Sequence, residues 1–214
     1  MYNIDSSNSL FNSLLWKAGA SEQELIHTLA LSSEIVVQLK QKYKHTSAWM
    51  DWLHSRNALQ LLLQQNPLTL EKDVNGKMLH PIPNRYLSLS HCTGWAIAVE
   101  SEQAIGVDIQ TYSSKLARIA TKYIPMEQLE ILEVQPNYQD YLHLHWGIKE
   151  ALFKLYGKGQ LDYKKHLLIE PFEIQTKGQL NAKIRKTDVS ISCHIDYVKA
   201  EDYYLCIATQ KKSI

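Results

Sequence analysis

Cysteine is scarce and odd in number, with Cys92, Cys193 and Cys206 the only three in 214 residues. That count, with no Cys-x-x-Cys spacing, argues against a disulfide framework and for thiols held in the core in a reducing compartment. No apolar run approaches the roughly 18 residues that span a bilayer. Residues 1–9 lack a positive segment followed by an apolar one, so no signal peptide is expected. Charge of one sign is missing as well: 23 Lys and Arg against 22 Asp and Glu leave +1, with no general field to gather nucleic acid or anionic lipid. No zinc spacing, G-x-S-x-G, Walker loop or dinucleotide-binding glycine fingerprint occurs. His143 and His145, two apart, stand about 200° apart on a helix and cannot chelate one ion together. What is present, 45% apolar and 21% charged residues, is ordinary globular composition, enough for one large or two small domains. A cytoplasmic protein without nucleic-acid or membrane partners is expected.

Two stretches organise the chain. In residues 105–110, Ile105, Val107 and Ile109 alternate with Gly106, Asp108 and Gln110. A strand then places a carboxylate and an amide on one face, with no side chain at Gly106 to obstruct a ligand. Further on, Tyr141, Leu144, Ile148, Ala151, Leu152 and Leu155 share one helical stripe. Opposite lie Leu142, Trp146 and Phe153 beside Glu150 and Lys154, so this helix is expected to be covered on both sides. Glu150 and Lys154 are four apart; taken alone they make a surface ion pair worth a few tenths of a kcal/mol.

Together the stretches resemble the signature of the 4'-phosphopantetheinyl transferase superfamily, a G-(I/V)-D-(I/V) strand followed after a few dozen residues by a (W/F)-x-x-K-E-(A/S)-x-x-K helix. Gly106-Val107-Asp108-Ile109 meets the first part, and Trp146, Lys149, Glu150, Ala151 and Lys154 meet the second. Leu89-Ser90-His91-Cys92 is similar to the family's I-S-H-(S/C) strand end. Gly76-Lys77 is similar to its G-K-P turn, with Met78 for the proline, and Gly157-Lys158-Gly159 to a step of its longer members. Two further positions depart: Gly147 stands where a small hydroxyl or thiol residue is commoner, and Gln110 where many relatives carry a third acid.

The resemblance implies an α+β pseudo-dimer of two similar halves, each with helices on a mainly antiparallel sheet, residues 1–103 on the coenzyme A side and 104–214 carrying the metal-binding Asp. The active site would lie in the cleft between them. It implies a Mg²⁺-dependent, monomeric enzyme that moves the phosphopantetheine arm of coenzyme A to a serine of an acyl or peptidyl carrier protein. Asp108 and Glu150 would hold the ion, with Gln110 through its carbonyl or a water, and Glu150, Lys154 and Asp108 would carry the catalysis. His91, Ser90, Lys77, Lys154 and Lys44 would contact the coenzyme. A non-catalytic coenzyme A or nucleotide-binding protein on the same fold is the alternative, made plausible by Gln110 and Gly147.

Elsewhere, Ser21 and Glu24 form a capping box opening a helix with Leu25, Ile26 and Leu29. Residues 34–43 make a second helix ending in Lys40, Lys42, Lys44 and His45, either a solvated helix end or a phosphate contact. Residues 46–65 form a long helix with Arg56 on its core face, where a guanidinium needs partners: structural carbonyls or a carboxylate, or else a phosphate. Residues 86–90, 95–100 and 104–110 alternate as strands of an antiparallel meander, bringing His91 toward the strand of Asp108. Ser114 is expected to cap a helix with Leu116, Ile119, Ala120 and Tyr123 inward and Lys115, Arg118 and Lys122 outward. That basic stripe is either solvated or, by the resemblance, a dock for an acidic carrier. A further helix is expected over 128–134, and strands over 167–175, 180–185, 189–198 and 203–209. Leu87-Ser88-Leu89-Ser90-His91 is faintly echoed by Val189-Ser190-Ile191-Ser192-Cys193-His194, too weakly to establish a repeat alone.

Overall fold

A computed structural model describes residues 11–212; the stretch 1–9 considered above lies outside them. Two antiparallel sheets are stacked, with a long helix outside each. The first sheet joins β1 (Phe11–Lys17), β2 (Tyr86–Cys92) and β3 (Trp95–Ser101) in the order β1-β3-β2. The second joins β4 (Ile105–Gln110), β5 (Leu167–Ile169), β6 (Lys177–Lys186), β7 (Val189–Lys199) and β8 (Tyr204–Gln210) in the order β4-β8-β7-β6-β5. Among the described residues no helix is long and apolar enough to cross a membrane.

Local signals set the helices. Ser21 and Glu24 satisfy each other's backbone N–H groups at the start of α1 (Glu22–Thr28). The Ser32 hydroxyl accepts from the Ile35 N–H to open α2 (Ser33–Lys42). Next, α3 (Thr46–Leu63) ends at Gln64 in the left-handed conformation, φ 54°. After β4 come the short α4 (Lys115–Ile119), α5 (Met126–Glu133) and α6 (Tyr138–Tyr156). Ser114 is the N-cap residue of α4 as expected, but its side chain makes no capping bond; the Ser113 hydroxyl accepts from the Lys115 N–H at 3.4 Å instead. The outer face is as expected, with Lys115, Arg118 and Lys122 exposed.

Alternation along the strands sorts the core into layers. Leu14, Leu87, Ala96 and Ala98 pack on Ala58 and Leu59 of α3. Phe11, Leu15, Ile97 and Val99, from the other face of that sheet, meet Ile105, Val107, Ile109, Leu205 and Ile207 of the second. Cys206 and Ala208, on the far face of β8, join Leu144, Ile148, Ala151 and Leu155 of α6. Leu142 is also buried, packed with Leu116, Tyr123 and Leu129, so α6 is covered on two sides as its pattern requires.

The meander does not form. β2 and β3 pair as a hairpin, but β1 occupies the other edge of β3, leaving it no free edge, and β4 pairs with β8 instead. The strand over 167–175 stops at Ile169, ahead of Pro171, which has no N–H for a ladder. The two sheets share one topology. In each, the first strand pairs with the last and the last with its predecessor: β1-β3-β2 matches β4-β8-β7. The serine-rich echo falls on the equivalent strands β2 and β7, which gives it the structural footing that the sequence alone lacked.

Candidate active site

The site lies on the seam where β2, β4 and α6 meet. Position Gly106 explains their proximity: a Cβ there would sit 2.0 Å from the Ala151 carbonyl oxygen and 2.4 Å from the Leu155 nitrogen. The space over Gly106 is therefore filled by helix backbone and is not open to a ligand. Only a glycine lets β4 and α6 approach so closely, and the approach brings Glu150 and Lys154 alongside Asp108.

β4 has a partner strand on one edge only. On the other, Val107 N–H donates to the Ser88 hydroxyl at 3.0 Å and Val107 C=O accepts from Lys154 Nζ at 2.9 Å. One register step on, Ser90 Oγ donates to Asp108 Oδ1 at 3.0 Å, and Lys154 Nζ reaches both Ser90 Oγ at 2.8 Å and Asp108 Oδ1 at 2.9 Å. Lys154 thus pairs with Asp108 rather than with Glu150. Glu150 Oε1 instead accepts from the Tyr163 hydroxyl at 2.9 Å.

The Glu150 carboxyl is raised above its ordinary pKa, chiefly by burial and further by the charge of Asp108, against the opposing Tyr163 hydrogen bond and Lys154. A desolvated carboxylate beside a second one calls for positive charge. Of the two carboxylates Lys154 touches only that of Asp108, and the donor set is hard oxygen, so the pair fits a hard divalent ion that takes its remaining ligands from phosphate and water. Among the described residues no group of three or more His, Cys, Asp or Glu side chains could hold a metal by themselves.

Gln110 shares the face of Asp108, but its amide nitrogen donates to the His143 carbonyl at 2.8 Å. A Cβ at Gly147 would meet that nitrogen at 3.1 Å and Cys206 Sγ at 2.9 Å. Two of the departures from the family pattern are therefore neighbours: Gly147 makes room for the amide of Gln110.

Ser90, and not His91, touches Asp108. His91 is on the alternate face of β2, toward α3, and desolvation lowers its pKa even though part of the residue is exposed. The charges of Asp51, Lys154, Arg56 and Asp108 act on it as well. Arg56 lies over the Trp52 ring, 5.2 Å from its centroid, and donates to Ser55 Oγ at 3.2 Å; among the described residues it has no carboxylate partner.

Lys77 donates to the carbonyls of Lys154 at 2.9 Å and Leu155 at 3.2 Å, closing the C-terminal turn of α6 above Gly157, which takes φ 69°. A cavity of about 430 Å³ opens there, lined by Gly76, Lys77, Leu89, Phe153, Lys154 and Lys158 among others. Lys44 is exposed in the turn before α3, and among the described residues no hydrogen bond or ion pair joins it to this cluster.

Sequence reasoning missed two features. Lys149, a signature residue, is buried and donates to the carbonyls of Tyr163 at 2.6 Å and Leu167 at 2.7 Å; burial lowers its pKa to about 8. Tyr163 carried no signal at all, being a lone aromatic in the loop after α6. His143 is a core residue, Nδ1 at 2.6 Å from the Gln139 carbonyl and Nε2 accepting from the Ser113 N–H.

Fold and site define an α+β protein of two topologically matched sheets with a carboxylate and lysine cluster on their seam. Residues 104–208, just under half of the chain, match the family model described as "4'-phosphopantetheinyl transferase superfamily". The chain is also similar to "4'-phosphopantetheinyl transferase psf-1" of Bacillus pumilus, 26% identical over 154 residues, a match covering 70% of this chain and 64% of that relative.

Proposed function

We propose that this protein is a 4'-phosphopantetheinyl transferase that moves the phosphopantetheine arm of coenzyme A to a serine of an acyl or peptidyl carrier protein. The observation that carries the reading is the cluster in which Lys154 Nζ gathers Ser90 Oγ and Asp108 Oδ1 from the two sheets beside a cavity of about 430 Å³. Such a cluster offers positive charge and a carboxylate to a pyrophosphate whose arm needs a walled groove. The match of residues 104–208 to the superfamily model and the likeness to the Bacillus pumilus transferase support the same reading.

Lys154 would reach the pyrophosphate oxygens as the coenzyme enters, with Ser90 and His91 at its phosphates and Lys77 on the cavity wall. Lys44 is assigned to the same coenzyme from the sequence alone. Glu150, more basic than an ordinary carboxylate, would take the proton of the carrier serine. The serine oxygen then bonds to the phosphorus of the phosphopantetheine arm. The bond from that phosphorus to the bridging oxygen breaks, and adenosine 3',5'-bisphosphate leaves with the electron pair. Mg²⁺ is the ion we assign to Asp108 and Glu150, with Gln110 at the edge of its shell; when bound it supplies charge neutralisation for the pyrophosphate. The exposed Lys115, Arg118 and Lys122 form the docking face for an acidic carrier. We place the boundary between the halves at residues 103 and 104, and expect a cytoplasmic monomer.

Incubation of an apo carrier protein with coenzyme A, Mg²⁺ and this protein should add one phosphopantetheine to the carrier in a mass spectrum. Binding of coenzyme A with no carrier modified, across acyl and peptidyl carriers, would leave the non-catalytic reading instead.

A further inference from the structure

Beyond Gly157 the chain turns back along the outer side of α6, and Tyr163 lands between the two aromatics that the helix pattern left opposite its core stripe. Its ring is 5.7 Å from that of Trp146 at an interplanar angle of 26°, and 5.7 Å from that of Phe153 at 31°. A stacked contact with Trp146 and a tilted one with Phe153 restrict where the phenol points. The hydroxyl donates to Glu150 Oε1 at 2.9 Å. The backbone at the same residue is also fixed, because Lys149 Nζ donates to the Tyr163 carbonyl at 2.6 Å and to the Leu167 carbonyl at 2.7 Å. Lys149 and Glu150, adjacent on the helix, thus meet the same loop residue, one at its carbonyl and the other at its side chain.

We infer that Tyr163 is a positioning residue for Glu150, holding one carboxylate oxygen so that the other faces the reacting serine, and that Lys149 acts through the Tyr163 backbone as the anchor of that strut. This rests on the transferase reading. A glutamate on a helix has three side-chain torsions, and burial alone does not choose among its rotamers. With Oε1 tied to a hydroxyl whose ring is wedged between two others, Glu150 is oriented before substrate arrives, which is the support a reacting carboxylate needs from its surroundings. Lys149 belongs to the signature yet its amine is spent on the carbonyls of Tyr163 in the loop and Leu167 at the start of β5; the strut gives it a role that direct contact with substrate does not.

Tyr163→Phe separates positioning from packing, since the ring and both of its aromatic contacts remain and only the hydroxyl goes. Steady-state transfer should show kcat down by about tenfold with KM for coenzyme A within about twofold, because a Glu150 that is bound but unaimed costs the chemical step rather than coenzyme binding. In protein labelled with ¹³C at glutamate carboxyls, the Glu150 resonance, assigned with Glu150→Gln, should move in Tyr163→Phe. A wild-type kcat in Tyr163→Phe, or an unmoved Glu150 resonance, overturns the inference while an active wild type leaves the transferase reading standing. A wild type that transfers nothing to any carrier overturns that reading and, with it, the positioning role, whatever the carbon resonance reports about the bond.

Discussion

Gly106→Ala adds one methyl group at the point where β4 meets the backbone of α6. The new carbon would lie 2.0 Å from the Ala151 oxygen and 2.4 Å from the Leu155 nitrogen, where ordinary contact begins near 3.4 Å. Neither obstacle is a side chain that can swing aside, so α6 must withdraw by about 1.4 Å, because close-packed interiors transmit such strain. The Lys154–Asp108 contact, now 2.9 Å, would lengthen toward about 4 Å, and the Lys154 bond to the Val107 carbonyl with it. Overpacking of this kind costs about 1–3 kcal/mol and sometimes more; with backbone on both sides the upper end applies. In a chain of this length about 3 kcal/mol lowers Tm by roughly 6–12 °C. Because Glu150 and Lys154 travel with the helix, transfer at a temperature where the variant is still folded should fall by at least about tenfold. Scanning calorimetry and steady-state transfer by the same preparation measure both effects. A Tm within about 2 °C of wild type, with wild-type turnover, would refute the claim that this glycine sets the spacing of the site.

Glu150→Gln should inactivate the enzyme and stabilise the fold. The folded pKa of Glu150 lies above the ordinary 4.5, so the protonated acid is favoured by folding, and that contribution, full below pH 4.5, is lost as pH rises through the raised value. The amide is uncharged throughout, so its Tm gain over wild type should be largest at neutral pH and vanish toward pH 4.5; a lower Tm at pH 7 would count against the burial argument. Asp108→Ala should lower transfer by at least about a hundredfold with an unchanged far-UV spectrum, and wild-type turnover would remove Asp108 from the site. Gln110→Glu would face a carboxylate to the His143 carbonyl, costing about 1–3 kcal/mol in denaturant titrations without metal; if residue 110 lies in the ion's shell, Mg²⁺ with coenzyme A should restore part of that loss, and calorimetry of Mg²⁺ binding should show higher affinity than wild type. Charge reversal at Lys115, Arg118 and Lys122 should raise KM for the carrier and leave KM for coenzyme A unchanged, and equal effects on both substrates would refute the docking assignment.

What was legible in the sequence is what depends on near neighbours. Ser21 with Glu24 announces α1, and the apolar stripe from Tyr141 to Leu155 announces α6 and its double burial, because caps and helical period are local. Pairing partners are not local. β1 was missed because Leu14 and Leu15 are both buried, one against α3 and the other against the second sheet, which erases the alternation that marks a strand. With β1 unseen, nothing in the sequence closed the second edge of β3, and β4 was wrongly added to it. At the site, period 2 correctly put Asp108 and Gln110 on one face, and the motif singled out Glu150 and Lys154. Their contacts could not be read, since Lys154 reaches across to a strand 46 residues earlier in preference to the glutamate one turn away. Tyr163 lies in a loop, where no periodicity marks a residue as facing anything.

The outer edge of β4 at Val107 is closed by side chains, with a serine on its N–H and a lysine on its carbonyl. This edge is buried against β2, with Val107 fully enclosed. A buried carbonyl that loses its donor costs about 1–3 kcal/mol. Lys154 therefore satisfies the backbone of the strand it crosses to as well as the carboxylate beside it. Substitution at this position then lowers the folded fraction together with any turnover, and activity normalised to folded protein separates the two.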